Sequence, residues 1–232
     1  DREYAADVRR RGGLGAVPTE TVSGLGACAF NEDAGKRIIE VKGRPADNPL
    51  IVHIACMEDV NMLAAEVTVI AKKLMNSFWP WPLTLVVKKS PEVPGIVTAG
   101  LDTVAIRFPS HPVARALILA AGVPIAAPSA NMSGLPSPTK SRHVMEDLYG
   151  KAEVIIDGGE CPVGIESTVV DVAGEKPVIL RPGGITPRQI REKAGTVLID
   201  RHVYMMPGEN EKPRAPGSKH AHYSPKAKMV VV

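Results

Sequence analysis

The chain has 232 residues, 44% of them hydrophobic and 23% charged, with a formal net charge of +3, a balance ordinary for an α/β protein with a sizeable core. Its three cysteines, Cys28, Cys56 and Cys161, are widely spaced with no C-x-x-C pair, which argues against a disulfide framework or a zinc knuckle and for a reducing, cytoplasmic setting. No apolar run approaches the length of a membrane span, and the mild basicity suits a polyanionic small molecule without demanding nucleic acid.

In chain order, Tyr4, Ala5 and Val8 share one side of a short helix over 4–11 that Gly12-Gly13 ends. A strand is expected at 14–18, then a helix capped by Asn31 or Asp33 and running through Val41. Residues 50–55, Leu-Ile-Val-His-Ile-Ala, form an apolar run suited to a buried strand. A helix over Val67 to Phe78 is stopped by Pro80-Trp81-Pro82. Strands at 83–88 and 103–108 precede a helix from Val113 to Ala121, closed by Gly122. A short strand at 124–127 runs into a Ser/Asn loop, followed by a helix at 141–149 and a strand at 153–157. Residues 168–181 read as a hairpin turned at Ala173-Gly174-Glu175, and Thr186-Pro187 opens a further helix. Helix and strand signals alternate with hairpin character, so a mixed α/β sheet is expected. From Tyr204 the texture changes: 207–228 hold four prolines and many charges, an extended linker. The expected division is a catalytic domain over 1–206, then the linker and the start of a truncated domain over 207–232. The first residue is Asp1 and the last run is Met229-Val230-Val231-Val232, read as a piece of a longer protein.

Two segments stand apart from this frame. Lys42-Gly43-Arg44-Pro45 places two cations around a turn that Pro45 and Pro49 stiffen. On charge alone this is a cationic helix C-terminus, favourable with the helix dipole. Held rigidly, however, the arginine grips a phosphate or carboxylate bidentately and the lysine adds a point charge. The second segment, Pro128-Ser129-Ala130-Asn131-Met132-Ser133-Gly134, offers hydroxyls and backbone N–H groups after a strand, the composition of an anion-binding loop and equally of an ordinary Asx turn. It is no Walker A motif. Arg107 ends the strand at 103–108, where open α/β sheets bind ligands. His53, alone in its strand, reads first as a core residue. His220, His222 and Cys161 have no spacing that makes a zinc site, and no metal ligands are assigned. No G-x-S-x-G elbow supplies a nucleophile, and too few aromatics are present for base-stacking platforms.

These segments carry a resemblance. Pro18-Thr19-Glu20-Thr21, Lys42-Gly43-Arg44-Pro45 with Asn48-Pro49-Leu50, Pro82-Leu83-Thr84, Val104-Ala105-Ile106-Arg107, Pro128-Ser129-Ala130-Asn131, Glu166-Ser167-Thr168-Val169 and Leu180-Arg181-Pro182-Gly183 follow in the order seen in YrdC-type threonylcarbamoyl-AMP synthases. The tail from Ala215 to Pro225 resembles the linker of the family's long form, which crosses the active site toward a smaller C-terminal domain, absent here. Ser23, Trp81 and Ser218 depart from the residues common at their positions, which are Tyr, Gly and Met.

The resemblance implies an α/β fold: a twisted open mixed sheet with a concave basic cavity. It implies that L-threonine, bicarbonate or CO2, and ATP with Mg²⁺ give threonylcarbamoyl-AMP and pyrophosphate. That product would pass to the tRNA threonylcarbamoyl-transferase machinery, with direct tRNA contact permitted but not required. Thr21, His53, Arg107, Ala127 and Ser167 would contact threonine. Arg44, Asn48, Thr103, Ser129, Asn131, Ser137, Arg181 and His220 would hold ATP, and Lys42 and Arg44 would be the catalytic cations. The competing expectations are a related carbamoyl-adenylate-forming domain and a non-catalytic RNA-binding module.

Overall fold

The computed structural model describes residues 2–205 and 213–215. Helices α1 (Arg2–Arg10), α2 (Glu32–Lys42), α3 (Val60–Leu63), α4 (Val69–Phe78), α5 (Gly95–Thr98), α6 (Pro112–Ala121), α7 (Ser141–Leu148) and α8 (Pro187–Ala194) interleave with strands β1 (Gly15–Val17), β2 (Gly24–Cys28), β3 (Ile51–His53), β4 (Leu83–Lys88), β5 (Thr103–Arg107), β6 (Ile125–Ala126), β7 (Val154–Ile155), β8 (Thr168–Asp171), β9 (Val178–Arg181) and β10 (Leu198–Ile199). The described strands form one open mixed sheet in the order β10-β9-β8-β4-β5-β3-β6-β2-β1-β7. The pairs β3·β5, β4·β8, β1·β7 and β9·β10 are parallel and the others antiparallel.

Local chemistry sets the helix ends. Asn31 Oδ1 accepts from the Ala34 N–H at 2.9 Å to start α2, and Gly43, at φ 58°, ends it in the left-handed region that glycine enters without penalty. Pro112 opens α6 and Gly122 closes it.

The two-residue period of the strands decides where the site lies. Val52, Ile54, Leu85, Val87, Val104 and Ile106 point into the main core, which α2, α4, α7 and α8 cover. Their neighbours Ile51, Val86 and Ala105 point to the opposite face, together with Val169 and Leu180. On that second face α1 and α6 pack over Val17, Ile125 and Ala127 at one end of the sheet. Stepping two residues along each strand from the second-face apolar positions reaches His53, Thr84, Arg107 and Ser167. The polar residues therefore share one face because the apolar ones do.

Four elements were not in the sequence reading: β2, α3, α5 and β10. Strand β2 reads Gly-Leu-Gly-Ala-Cys, low in the β-branched residues that announce a strand. The linker reading falls largely outside the described residues, with Pro213, Arg214 and Ala215 as exceptions.

Candidate active site

An open cleft lies on the second face. Its lining gathers Thr21, Arg44, His53, Arg107, Ala127, Ser129, Asn131, Ser137, Ser167 and Arg181, ten of the residues expected from sequence. They arrive from the β1–β2 loop, β3, β5, the loops after β6 and before β8, the end of β9, and the turn that follows α2.

The two motif loops are stitched to each other. Lys42 Nζ donates to the Ser129 carbonyl at 2.6 Å and to the Asn131 carbonyl, while the Ser133 N–H donates to the Lys42 carbonyl at 2.9 Å. Asn131 in turn donates through Nδ2 to the carbonyls of Met132 and Leu135, both at 2.8 Å. Arg44 donates from Nε to the Asn48 carbonyl at 3.1 Å and from Nη2 to the Pro49 carbonyl at 2.8 Å. Its guanidinium is thereby fixed at the cleft wall by two carbonyls, with the charge of Asp47 also acting on it. Burial pushes Arg44 down to about 10, with the charge of Arg181 adding to the effect, so it stays cationic at neutral pH.

At the other side, Arg107 and Glu20 form an almost fully buried ion pair at 2.6 Å. The second oxygen of Glu20 accepts from the Ser110 N–H at 3.2 Å. Thr19 and Thr21 hydroxyls lie 3.0 Å apart, and Thr19 also donates to the Val22 carbonyl. His53 is buried, and desolvation first and Arg107 second push it down to about 3, so it is a neutral imidazole. Ser167 is held from two directions: its hydroxyl lies 2.7 Å from that of Thr84, and Arg181 Nη2 donates to its carbonyl at 2.9 Å. The Ser137 hydroxyl donates to Glu166 at 2.5 Å. Glu166 is the one carboxylate among the described lining residues.

Three expected residues are placed differently. Lys42 does not line the cleft: its side chain is buried behind the wall and spent on two carbonyls, which makes it a positioning residue for the Ser129–Asn131 loop. Asn48 is also buried behind the wall, giving its carbonyl to Arg44 and leaving Oδ1 without a partner among the described residues. Thr103 opens β5, opposite Lys88, and lines a separate hollow with Asp102 and Asp171. Arg107 ends the same strand, so four residues of extended chain, roughly 13 Å, separate Thr103 from the cleft. His220 lies outside the described residues, as does Ser218. Of the other departures, Ser23 lines the cleft with its hydroxyl 3.8 Å from Cys161 Sγ, and Trp81 is half exposed.

The sequence reading gave no role to Glu20, Glu166, Thr19 or Thr84. Glu20 and Glu166 had a signal: each adjoins a threonine or serine that was singled out. Their function depends on partners nearly ninety and thirty residues away, which spacing does not reveal.

The arrangement can do three things. It presents cations and hydroxyls to an anionic chain, it offers a small polar recess around Thr21, His53 and Ser167, and it contains no side chain activated as a nucleophile. Comparison with known proteins follows these lines. The family model described as Telomere recombination, Sua5_yciO_yrdC, matches residues 7–183, and that of the threonylcarbamoyl-AMP synthase C-terminal domain matches 185–232. Threonylcarbamoyl-AMP synthase of Pyrococcus abyssi is 54% identical over 98% of this chain and 66% of its own length. The Bacillus subtilis enzyme of that name is 51% identical over 98% of this chain and 65% of its own. The chain thus spans about two thirds of these relatives. The crystal structure of P. abyssi Sua5 complexed with L-threonine superposes with a TM-score of 0.94 at 53% identity, covering 98% of this chain and 66% of that one. E. coli YciO, at 24% identity and a TM-score of 0.73 over 82% of this chain and 92% of its own, shares the fold.

Proposed function

This chain belongs to the Sua5–YciO–YrdC family, and from that premise we propose that it forms threonylcarbamoyl-AMP and pyrophosphate from L-threonine, a one-carbon carbonate species and ATP. The observation that carries the reading is the cleft itself: the threonine set, Thr21, His53, Arg107 and Ser167, and the nucleotide set, Arg44, Ser129, Ser137 and Arg181, line one continuous space.

Arg107 is turned toward the cleft while Glu20 fixes its orientation, so it pairs with the threonine carboxylate at a set angle. The neutral imidazole of His53 and the hydroxyl of Thr21 hydrogen-bond the substrate's polar groups without adding charge. The amine, once carboxylated, is an N-carboxylate whose oxygen attacks the α-phosphorus, and pyrophosphate leaves. Arg44, Arg181 and the donors of the Ser129–Asn131 loop stabilise charge on the phosphoryl oxygens in a site already organised for it.

Mg²⁺ is expected with ATP. The described residues hold no cluster of three metal-ligating side chains, and the donor set of the cleft, Glu166 with the hydroxyls of Ser129 and Ser137, fits an oxygen-seeking ion carried mainly by phosphates and water. Bound there, the ion would neutralise charge on the triphosphate. The same reading extends to the product's destination, the tRNA threonylcarbamoyl-transferase machinery, and to a cytoplasmic setting. Among the described residues no helix is long and apolar enough to cross a membrane.

Mass spectrometry of products from ATP, Mg²⁺, bicarbonate and threonine tests the reading, with threonine omitted as control. Threonine-dependent threonylcarbamoyl-AMP with equimolar pyrophosphate is expected. ATP turnover that is indifferent to threonine would overturn it.

A further inference from the structure

Among the described residues, three arginines and one carboxylate line the cleft. Arg107 is already compensated by Glu20, at 2.6 Å. Glu166 forms no ion pair among the described residues, although it lines the same space as Arg44 and Arg181. Its Oε1 accepts from the Ser137 hydroxyl at 2.5 Å. Its Oε2 has no hydrogen-bond partner among the described residues and is reached by solvent, since the side chain is half-buried and that oxygen is not among the enclosed unpartnered atoms. The backbone beneath it is fixed: the Glu166 carbonyl accepts from the Gly184 N–H at 3.1 Å, and Thr84 and Arg181 hold the next residue, Ser167. Glu166 therefore stands where the two residue sets of the proposed function meet, bonded to Ser137 of the nucleotide set and adjoining Ser167 of the threonine set.

Resting on the proposed function, we infer that Glu166 is the partner of the threonine ammonium, and so the residue by which the cleft selects an amino acid over a ligand that carries only a carboxylate. A zwitterion that leaves water needs both of its ends compensated. Arg107 serves the carboxylate. The ammonium would otherwise face Arg44 and Arg181, whose charges oppose it, and Glu166 is the one anionic side chain among the described lining residues. Its place also suits the chemistry, because the nitrogen has to lie beside the nucleotide set for the carboxylate it gains to attack the α-phosphorus. Mg²⁺ arrives with phosphates and water as ligands and makes less demand on the same oxygen. When the nitrogen is carboxylated, the ammonium gives up two protons to water, its lone pair forms the C–N bond to CO2, and one C–O π pair moves onto oxygen. The group beside Glu166 has then changed from a cation to an anion. The attraction that held the nitrogen becomes a repulsion that favours the side of Arg44 and Arg181.

Calorimetry with a chelator present and no nucleotide tests this without any metal, comparing L-threonine with (R)-3-hydroxybutanoate, the same molecule with hydrogen in place of the ammonium. Glu166→Gln is expected to weaken threonine binding about tenfold to a hundredfold, the range of a charged hydrogen bond, and to leave (R)-3-hydroxybutanoate binding as in wild type. Threonine affinity equal to wild type in the folded variant overturns the inference. Equal weakening of both ligands also overturns it, since the residue would then only support the cleft. A loss confined to Mg²⁺-dependent ATP binding does the same and gives the carboxylate to the metal. Should Glu166→Gln fail to fold, wild type still decides: it is expected to prefer threonine to (R)-3-hydroxybutanoate by at least about tenfold, and equal affinities overturn the inference. Turnover keeps the two readings apart. Wild type that makes threonylcarbamoyl-AMP upholds the function whatever Glu166 does, and wild type that makes none removes both.

Discussion

Lys42 is a cation that the cleft uses without exposing. Desolvation, with the charge of Arg44 second, pushes its amine down to about 7. Between that value and the ordinary 10.5 the unfolded chain holds a proton that the folded chain lacks, so stability rises with pH through this window, and the cost of burying the ammonium is fully felt below it. At pH 8 the amine is mostly neutral. A polyphosphate arriving at the adjacent loop favours the ammonium, so ATP binding at pH 8 is expected to take up close to one proton at this residue. Calorimetry in buffers of differing ionisation enthalpy measures it, and Lys42→Met should bind with about one proton fewer. Equal proton counts would refute the coupling. Glu20 allows a second test at this scale. Its pair with Arg107 is almost wholly screened from water, and removing one partner leaves an uncompensated charge. Glu20→Gln is therefore expected to cost about 3 kcal/mol in urea unfolding and to weaken threonine binding as Arg107 loses its orientation. A loss below about 1 kcal/mol would mean that the pair behaves as an exposed one.

At the scale of elements, the approach of β9 to β8 holds Ser167 in place. A Cβ on Gly183 would lie 2.4 Å from the Glu166 carbonyl oxygen and 2.5 Å from both the Ser167 carbonyl carbon and the Thr168 nitrogen, all backbone atoms that cannot rotate away. Gly183→Ala must then push the strand entrance outward, at about 1–3 kcal/mol, and should weaken threonine binding at least tenfold. Gly174, in the β8–β9 turn with nothing within 4 Å of a Cβ, is the control, and Gly174→Ala should change neither property. Equal effects at the two positions would remove the argument. Glycine also explains why β2 escaped notice. A Cβ on Gly26 would meet Ile125 Cγ2 at 2.6 Å, so the strand is glycine-rich because its neighbour is close, a cause that lies a hundred residues away. Strands β3, β4 and β5 were legible because their apolar runs carry their own signal. Thr103 and Arg107 share a face by the two-residue period, but the period does not say which strand end meets the cleft. Nor does a lysine at a helix end announce its burial, because the loop that covers it comes from residues 129–131.

Across the whole molecule, the second face of the sheet is shared between the cleft and the returning chain. After the turn at Arg201–Val203, the described chain resumes at Pro213–Ala215. There Arg214 pairs with Asp171 of β8 and, at 3.5 Å, with Asp200, and Ala215 is buried in the cluster with Ile51, Val86 and Val169. Ile51 belongs to that cluster and to the cleft lining. Ala215 thus ends in an apolar cluster that shares Ile51 with the cleft, and the resemblance expects the segment after it to contribute to nucleotide binding. The tether is electrostatic and half exposed, so Arg214→Ala should cost no more than about 1 kcal/mol of global stability. If the segment contributes, the same variant should weaken ATP binding severalfold, since a loosened anchor lowers the effective concentration of what it carries. Threonine, whose proposed partners Thr21, His53, Arg107 and Ser167 lie on the sheet face, should bind as before. Parallel calorimetric titrations with the two ligands separate the cases: equal weakening of both would mean that Arg214 supports the fold of the cleft, and no change in either would mean that the anchor leads nowhere near the nucleotide.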